Sequence, residues 1–203
     1  MAKVVYSLST SLDGFVAGPN DGPENGLGER GGMHIFDWYM DDGEPIGDTG
    51  LFSPQGANRA VVAQMIAESG AMVAGRRTWD ITNGWGGSHP FPGMGIVLLT
   101  HEAPAEIPQG DSEIRVVTSG IEEAIAVAKE LAGDKTVSFA GASAGKQALA
   151  AGLVDEILVN VAPILLGAGV RMFDEWGGDS IRLEPIATIA GPHVTHLRYR
   201  VLR

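Results

Sequence analysis

Two adjacent arginines, Arg76 and Arg77, stand in the stretch AGRRTWD (74–80) of a chain with 14 Lys and Arg against 25 Asp and Glu. Gly75 permits a tight turn after the apolar run before it. RTWD can then open a short helix with Gly75 or Thr78 at its N-cap and Asp80 in its first turn. Free backbone N–H groups beside two guanidinium forks make an anion site suited to a phosphate. The stretch FAGASAGKQAL (139–149) repeats the design. Gly141, Ala142, Ser143, Gly145 and Lys146 form a small-residue loop into a helix, where a backbone can approach a pyrophosphate closely. In LLTHEAP (98–104), Thr100 and His101 leave a strand with a hydroxyl and an imidazole that can bind phosphate. In SLDGFVAG (11–18), Asp13 can orient a cofactor amide or supply a proton. Each stretch also has a plain reading: solvated arginines, tight packing of helix on sheet, an incidental histidine, an Asp-Gly turn.

Other chemistries are excluded by what the residues lack. The loop 139–149 is not a P-loop, since three residues rather than four separate its glycines and Gln147 follows Lys146; no G-x-G-x-x-G or G-x-S-x-G is present either. His193 and His196 are three apart in a predicted strand and point to opposite faces, so no metal site is expected. The chain contains no cysteine and carries net charge −11. That argues against disulfides, against a nucleic-acid partner and against an anionic membrane surface, and it fits a cytoplasmic location. No apolar run approaches a membrane span, and no export signal opens the sequence.

The elements that must position these residues read as strands at 3–9, 71–75, 95–100, 114–117, 136–141 and 156–163, with helices at 57–69, 120–133 and 145–153. In the second helix Ile121, Ile125, Ala128 and Leu131 share a stripe, Ser119 with Glu122 suggests a capping box, and Gly133 suits the C-cap. Two strands with a Gly-Pro turn between them, 181–191 and 193–203, predict an antiparallel C-terminal hairpin. Strands alternating with helices imply right-handed crossovers and a mainly parallel α/β sheet, with ligands at the carboxyl ends of strands. Residues 19–56 fit no element and read as a long loop with an aromatic centre at 31–40, either a lid or binding loop, or a loop that packs its aromatics on the core or on a second subunit. The 203 residues suit one domain.

Taken in order, the motifs SLDGFVAG, GRRTWD, WGGSHPF leading to IVLLTH, FAGASAGKQALAAGLVDEI and VAPILLGAGVRMFD resemble the dihydrofolate reductase-like superfamily. The nearer resemblance is to stand-alone relatives of the reductase domain of bifunctional riboflavin-biosynthesis deaminase-reductases. It implies an eight-stranded, mainly parallel sheet, a homodimer and bound NADPH. By matching motif, Arg76, Arg77 and Thr78 would hold cofactor phosphates, Thr100 and His101 would lie near the adenosine 2′-phosphate, and Gly141, Ala142, Ser143, Gly145 and Lys146 would line the pyrophosphate loop, while Val16 and Ala17 would begin the loop that touches the nicotinamide. Two departures stand out. No acid lies near Arg59, where dihydrofolate reductases carry a pterin-binding carboxylate, and AGA (140–142) replaces the usual EGG. The expected function is NADPH-dependent reduction of a C=N or C=O bond in a small heterocyclic, pterin- or pyrimidine-like substrate; the alternative is a non-catalytic NADPH-binding protein.

Overall fold

A computed structural model describes residues 2–46, 50–174 and 179–202. In chain order its elements are β1 (Val5–Ser11), β2 (Phe15–Ala17), α1 (Ala57–Glu68), β3 (Ser69–Gly75), α2 (Arg76–Thr82), β4 (Gly95–Leu99), β5 (Ile114–Val117), α3 (Ile121–Ala132), β6 (Thr136–Ala140), α4 (Ala142–Ala150), β7 (Glu156–Ala162), β8 (Val170–Arg171), β9 (Leu183–Gly191) and β10 (Val194–Val201). A 3-10 segment covers Gly32–Tyr39, and Asn83–Gly87 is a kinked turn with Gly84, Trp85 and Gly86 at positive φ. The near-continuous apolar runs of β3 and β4 follow from burial on both faces.

The strands form an all-parallel sheet in the order β5-β4-β3-β6 and a mixed sheet in the order β1-β7-β10-β9, with a short β2-β8 pair beside them. The α/β class and the parallel strands are as expected, but a single eight-stranded sheet is not what forms. The two four-stranded sheets meet at an isolated parallel bridge between Val4 and Val137, where the Val137 N–H donates to the Lys3 carbonyl at 2.8 Å. Past it β6 pairs with β3 and β1 with β7. The Tyr6 ring stands at this seam, edge-on to Phe139 at 5.6 Å, its hydroxyl donating to the carbonyls of Ala142 and Met172. A fully buried ring held at both ends keeps α4 docked across the seam.

Helix α3 lays Ile121, Ala124, Ile125 and Ala128 on the Val73 and Val97 side of the parallel sheet. The opposite side carries Met72, Ile96 and Leu98 under Trp79, Phe91 and Met94. Several local expectations shift. The N-cap of α3 is Gly120, with no side-chain bond, so the Ser119 capping box does not form, whereas Gly133 does close the helix. Helix α4 starts at Ala142, three residues before the predicted start, and Asp80 lies beyond the first turn of α2. The aromatic centre of the long loop is a 3-10 segment whose Trp38 is fully buried, its Nε1–H donating to Ser9 Oγ at 3.2 Å. The C-terminal hairpin forms as β9 and β10, with His193 in the turn at φ 58° rather than in a strand. Within 19–56, residues 47–49 lie outside the described residues.

Candidate functional site

Strands β4, β3 and β6 are parallel neighbours, so the turns that leave their carboxyl ends lie side by side. The β3 turn is Gly75 into α2, the β4 turn is Thr100-His101, and the β6 turn is Gly141 into α4. Gly75 through Thr78, Thr100, His101 and Gly141 through Ser143 all line one cavity of about 1250 Å³, together with Val16 and Ala17 of β2. The two arginine-bearing and small-residue motifs touch. Gly141 sits at φ +95°, and a Cβ there would fall 2.4 Å from Thr78 Oγ1. Only glycine combines that backbone with that approach. Helix N-termini bring unpaired N–H groups and positive dipole ends to the same rim.

The arginines already have partners. Arg76 Nε donates to Asp80 and its Nη1 to the Glu102 carbonyl, while Arg77 Nη2 lies 2.7 Å from both the carbonyl and the Oδ1 of Asp21. Asp21 belongs to the long loop, so this pair ties that loop to α2 across the rim. A guanidinium has five N–H donors, and each arginine keeps some for a ligand. Thr100, nearly buried, donates to the Glu102 carbonyl, and His101 is exposed.

Three of the sequence-derived residues are not brought to the cavity wall. Asp13 accepts from Ser11 Oγ at 2.6 Å and from the backbone N–H groups of Leu166 and Gly167 at 3.1 and 2.7 Å. These bonds, the Ser11 hydroxyl foremost and then the backbone donors, hold its pKa near 2 against desolvation. It is an ion that ties the β1-β2 turn to the segment after β7, a poor proton donor. Gly145 packs on Tyr6, where a Cβ would lie 2.1 Å from the ring. Lys146 turns away to bond Asp174.

The deeper walls hold residues that the motifs did not announce. His196, 2% exposed, sits between Asn160 Oδ1 at 2.7 Å and Asn58 Oδ1 at 3.2 Å, and burial lowers its pKa to about 4. Ser7 Oγ is buried without a hydrogen-bond partner among the described residues. Arg198 bonds Glu156 at 2.7 Å and reaches Glu68 at 3.8 Å. Burial would raise the Glu156 pKa, yet Lys3 and Arg198 together hold it below the ordinary carboxylate value. The signal for these residues was a polar side chain inside an otherwise apolar strand, as in EILVNVAP, where Asn160 interrupts the run. Among the described residues no cluster of His, Asp or Glu is arranged to hold a metal, and no helix is long and apolar enough to cross a membrane.

A family model described as the RibD C-terminal domain matches residues 2–196. Among solved structures, a protein of Shewanella sp. PV-4 provisionally assigned to riboflavin biosynthesis aligns at 23% identity over 100% of both chains, with a TM-score of 0.71. The diaminohydroxyphosphoribosylaminopyrimidine deaminase/5-amino-6-(5-phosphoribosylamino)uracil reductase of Thermotoga maritima aligns at 14% identity and a TM-score of 0.64, over 99% of this chain and 57% of that one. A dihydrofolate reductase of Enterococcus faecalis, complexed with NADP(H), aligns at 14% identity and a TM-score of 0.54, over 99% of this chain and 96% of its own. At these identities the likenesses establish the fold, which is dihydrofolate reductase-like. No curated protein matched the sequence.

Proposed function

The chain belongs to the RibD C-terminal domain family, and from that membership we propose that it is an NADPH-dependent reductase of a small pyrimidine- or pterin-like substrate. The observation that carries this reading is the convergence of three strand-to-helix turns on one cavity, with Gly141 held at positive φ against Thr78. A cradle of free N–H groups beside two arginines fits a dinucleotide's phosphates. When bound, the cofactor supplies the hydride, which goes to the carbon of a C=N or C=O bond, while a proton goes to its nitrogen or oxygen. The protein's part is positioning. Gly141, Ala142 and Ser143 present N–H groups to the pyrophosphate, Arg76, Arg77 and Thr78 hold phosphate oxygens, and Thr100 and His101 face the adenosine end. Val16 and Ala17 wall the nicotinamide side. Asp13 is committed to its turn, so the proton enters from water in the cavity.

The chain acts as one domain in the cytoplasm, in line with its lack of cysteine. A homodimer through the β9 edge is supported by Leu183 and Ile186, large apolar side chains exposed on that strand.

Calorimetric titration with NADPH and then NADH tests the reading. Binding should favour NADPH, and Arg77→Ala should weaken NADPH by about ten- to a hundredfold, the value of one or two charge-assisted bonds, with a much smaller effect on NADH. The preference for NADPH rests on Arg77 bonding the 2′-phosphate, and equal losses would place it on the pyrophosphate instead. If neither cofactor binds, the reductase reading is lost.

A further inference from the structure

One wing of the cavity lies away from the phosphate rim, under the loop that joins α2 to β4, and His89 is its most informative residue. The Phe91 N–H donates to His89 Nδ1 at 2.9 Å. Nδ1 is therefore the acceptor, and the single proton of a neutral ring sits on Nε2. Burial keeps the ring neutral, lowering its pKa to about 4. Nε2 has no partner among the described residues, yet it is not sealed from the cavity that the ring lines. An oriented N–H donor that opens on a cavity and has no protein partner is available to a ligand's acceptor atom.

The surroundings define that ligand further. His89 lies 5.5 Å from the Trp85 ring and 5.1 Å from Phe91, and Phe91 continues through Phe52 to Tyr39 at 5.5 and 5.4 Å. These rings line the cavity, and Met65, Met72 and Met94 fill the wall between them. Flat aromatic groups stack on such a surface, and thioethers adapt to their edges. Charge is what the wing lacks. The arginines on the cavity wall are Arg76 and Arg77 at the rim and Arg198, which Glu156 and Glu68 already claim. A phosphate placed beside His89 would lose its hydration without gaining a cation.

We propose that this wing binds a neutral, flat aromatic group of the substrate, with His89 Nε2–H donating to an acceptor atom on it, and that this group carries no phosphate. The inference rests on the reading of the cavity as a reductase's chamber and adds the chemical class that the chamber selects. His89 thereby determines specificity, and its Nδ1 bond to Phe91 fixes the ring that does so.

The test uses lumiflavin and riboflavin 5′-phosphate, which share one ring system and differ in the phosphorylated tail. Each is titrated by calorimetry into protein saturated with NADP+, whose own binding is measured first. Lumiflavin should bind at least about tenfold more tightly than riboflavin 5′-phosphate. His89→Asn keeps an acceptor for the Phe91 N–H, and its shorter amide leaves no donor at the place of Nε2, so it should weaken lumiflavin about tenfold or more while the NADP+ affinity and melting temperature stay put. His89→Gln, which can place a donor near Nε2, should restore lumiflavin to within about threefold of wild type. Phe52→Leu, which removes a stacking face at similar volume, should also weaken lumiflavin and serves if His89→Asn does not fold. Equal or tighter binding of the phosphorylated ring, no lumiflavin binding, or indifference to His89→Asn would overturn the proposal. Loss of NADP+ binding with lumiflavin binding intact would instead sink the reductase reading and leave the aromatic site standing.

Discussion

Asp13 shows how one side chain's fate depends on its acceptor bonds. A carboxylate that receives the Ser11 hydroxyl and two backbone N–H groups is stabilised as an ion, and an ion with a pKa near 2 holds almost no proton to donate near neutral pH. Asp13→Asn should therefore lower the melting temperature, because one amide replaces an oxygen that now accepts. Turnover per folded molecule should stay within about twofold of wild type, a barrier change well below 1 kcal/mol. A loss of turnover of a hundredfold or more in a variant that melts normally would return Asp13 to the chemistry.

Two glycines at the start of α4 look alike in the sequence and do different work. Gly145 exists because the helix lies on the Tyr6 ring, whose two hydrogen bonds leave it nowhere to go. Gly145→Ala should destabilise the protein by about 1–3 kcal/mol, the usual range for overpacking, measured by urea unfolding, with NADPH affinity nearly unchanged in the folded fraction. Gly141 instead sets the turn before the helix, at a φ that side chains resist and against Thr78. Gly141→Ala should weaken NADPH by about tenfold or more, the cost of about 1.4 kcal/mol of strain or displacement. If the two variants exchange these phenotypes, the division of labour along α4 is wrong. Both glycines and Lys146 were visible as one motif. That Gly145 serves packing and Lys146 pairs with Asp174 was not, because their neighbours come from β1 and from the segment after β8.

At the scale of the whole molecule, the buried histidines make stability depend on acidity. Burial holds His89 and His196 near pKa 4, below the ordinary 6.5. Between those values the unfolded chain binds protons that the folded one refuses, so stability is full above about pH 6.5 and falls as the pH drops toward 4. For His196, 2% exposed, the loss is on the order of 3 kcal/mol. Asp13 adds a second loss with the same sign between its ordinary 3.8 and about 2. Scanning calorimetry should show a midpoint that declines steadily from pH 6.5 to 4, and less steeply in His196→Asn. A midpoint that holds or rises over that range would mean that these rings are charged in the fold.

The sequence by itself determined what is local. Strand and helix periods, the C-terminal hairpin, and the glycine turns before Arg76-Arg77 and Ala142 are each encoded in a dozen contiguous residues, so propensity and turn chemistry suffice to read them. The long loop's aromatic residues were legible as unusual, with packing on the core among their readings, but the 3-10 segment and the bond from Trp38 to Ser9 were not. Tertiary structure alone decided what depends on distant partners. Asp13 meets Leu166 and Gly167 about 153 positions away, the sheet divides at the Val4–Val137 bridge, and His89, whose tautomer a local bond to the Phe91 N–H fixes, comes to line the same cavity as Phe52 and Tyr39 of the long loop's segment. Local backbone preferences act before the chain has folded back on itself. Burial, and the hydrogen bonds and protonation states that burial imposes, exist only afterwards.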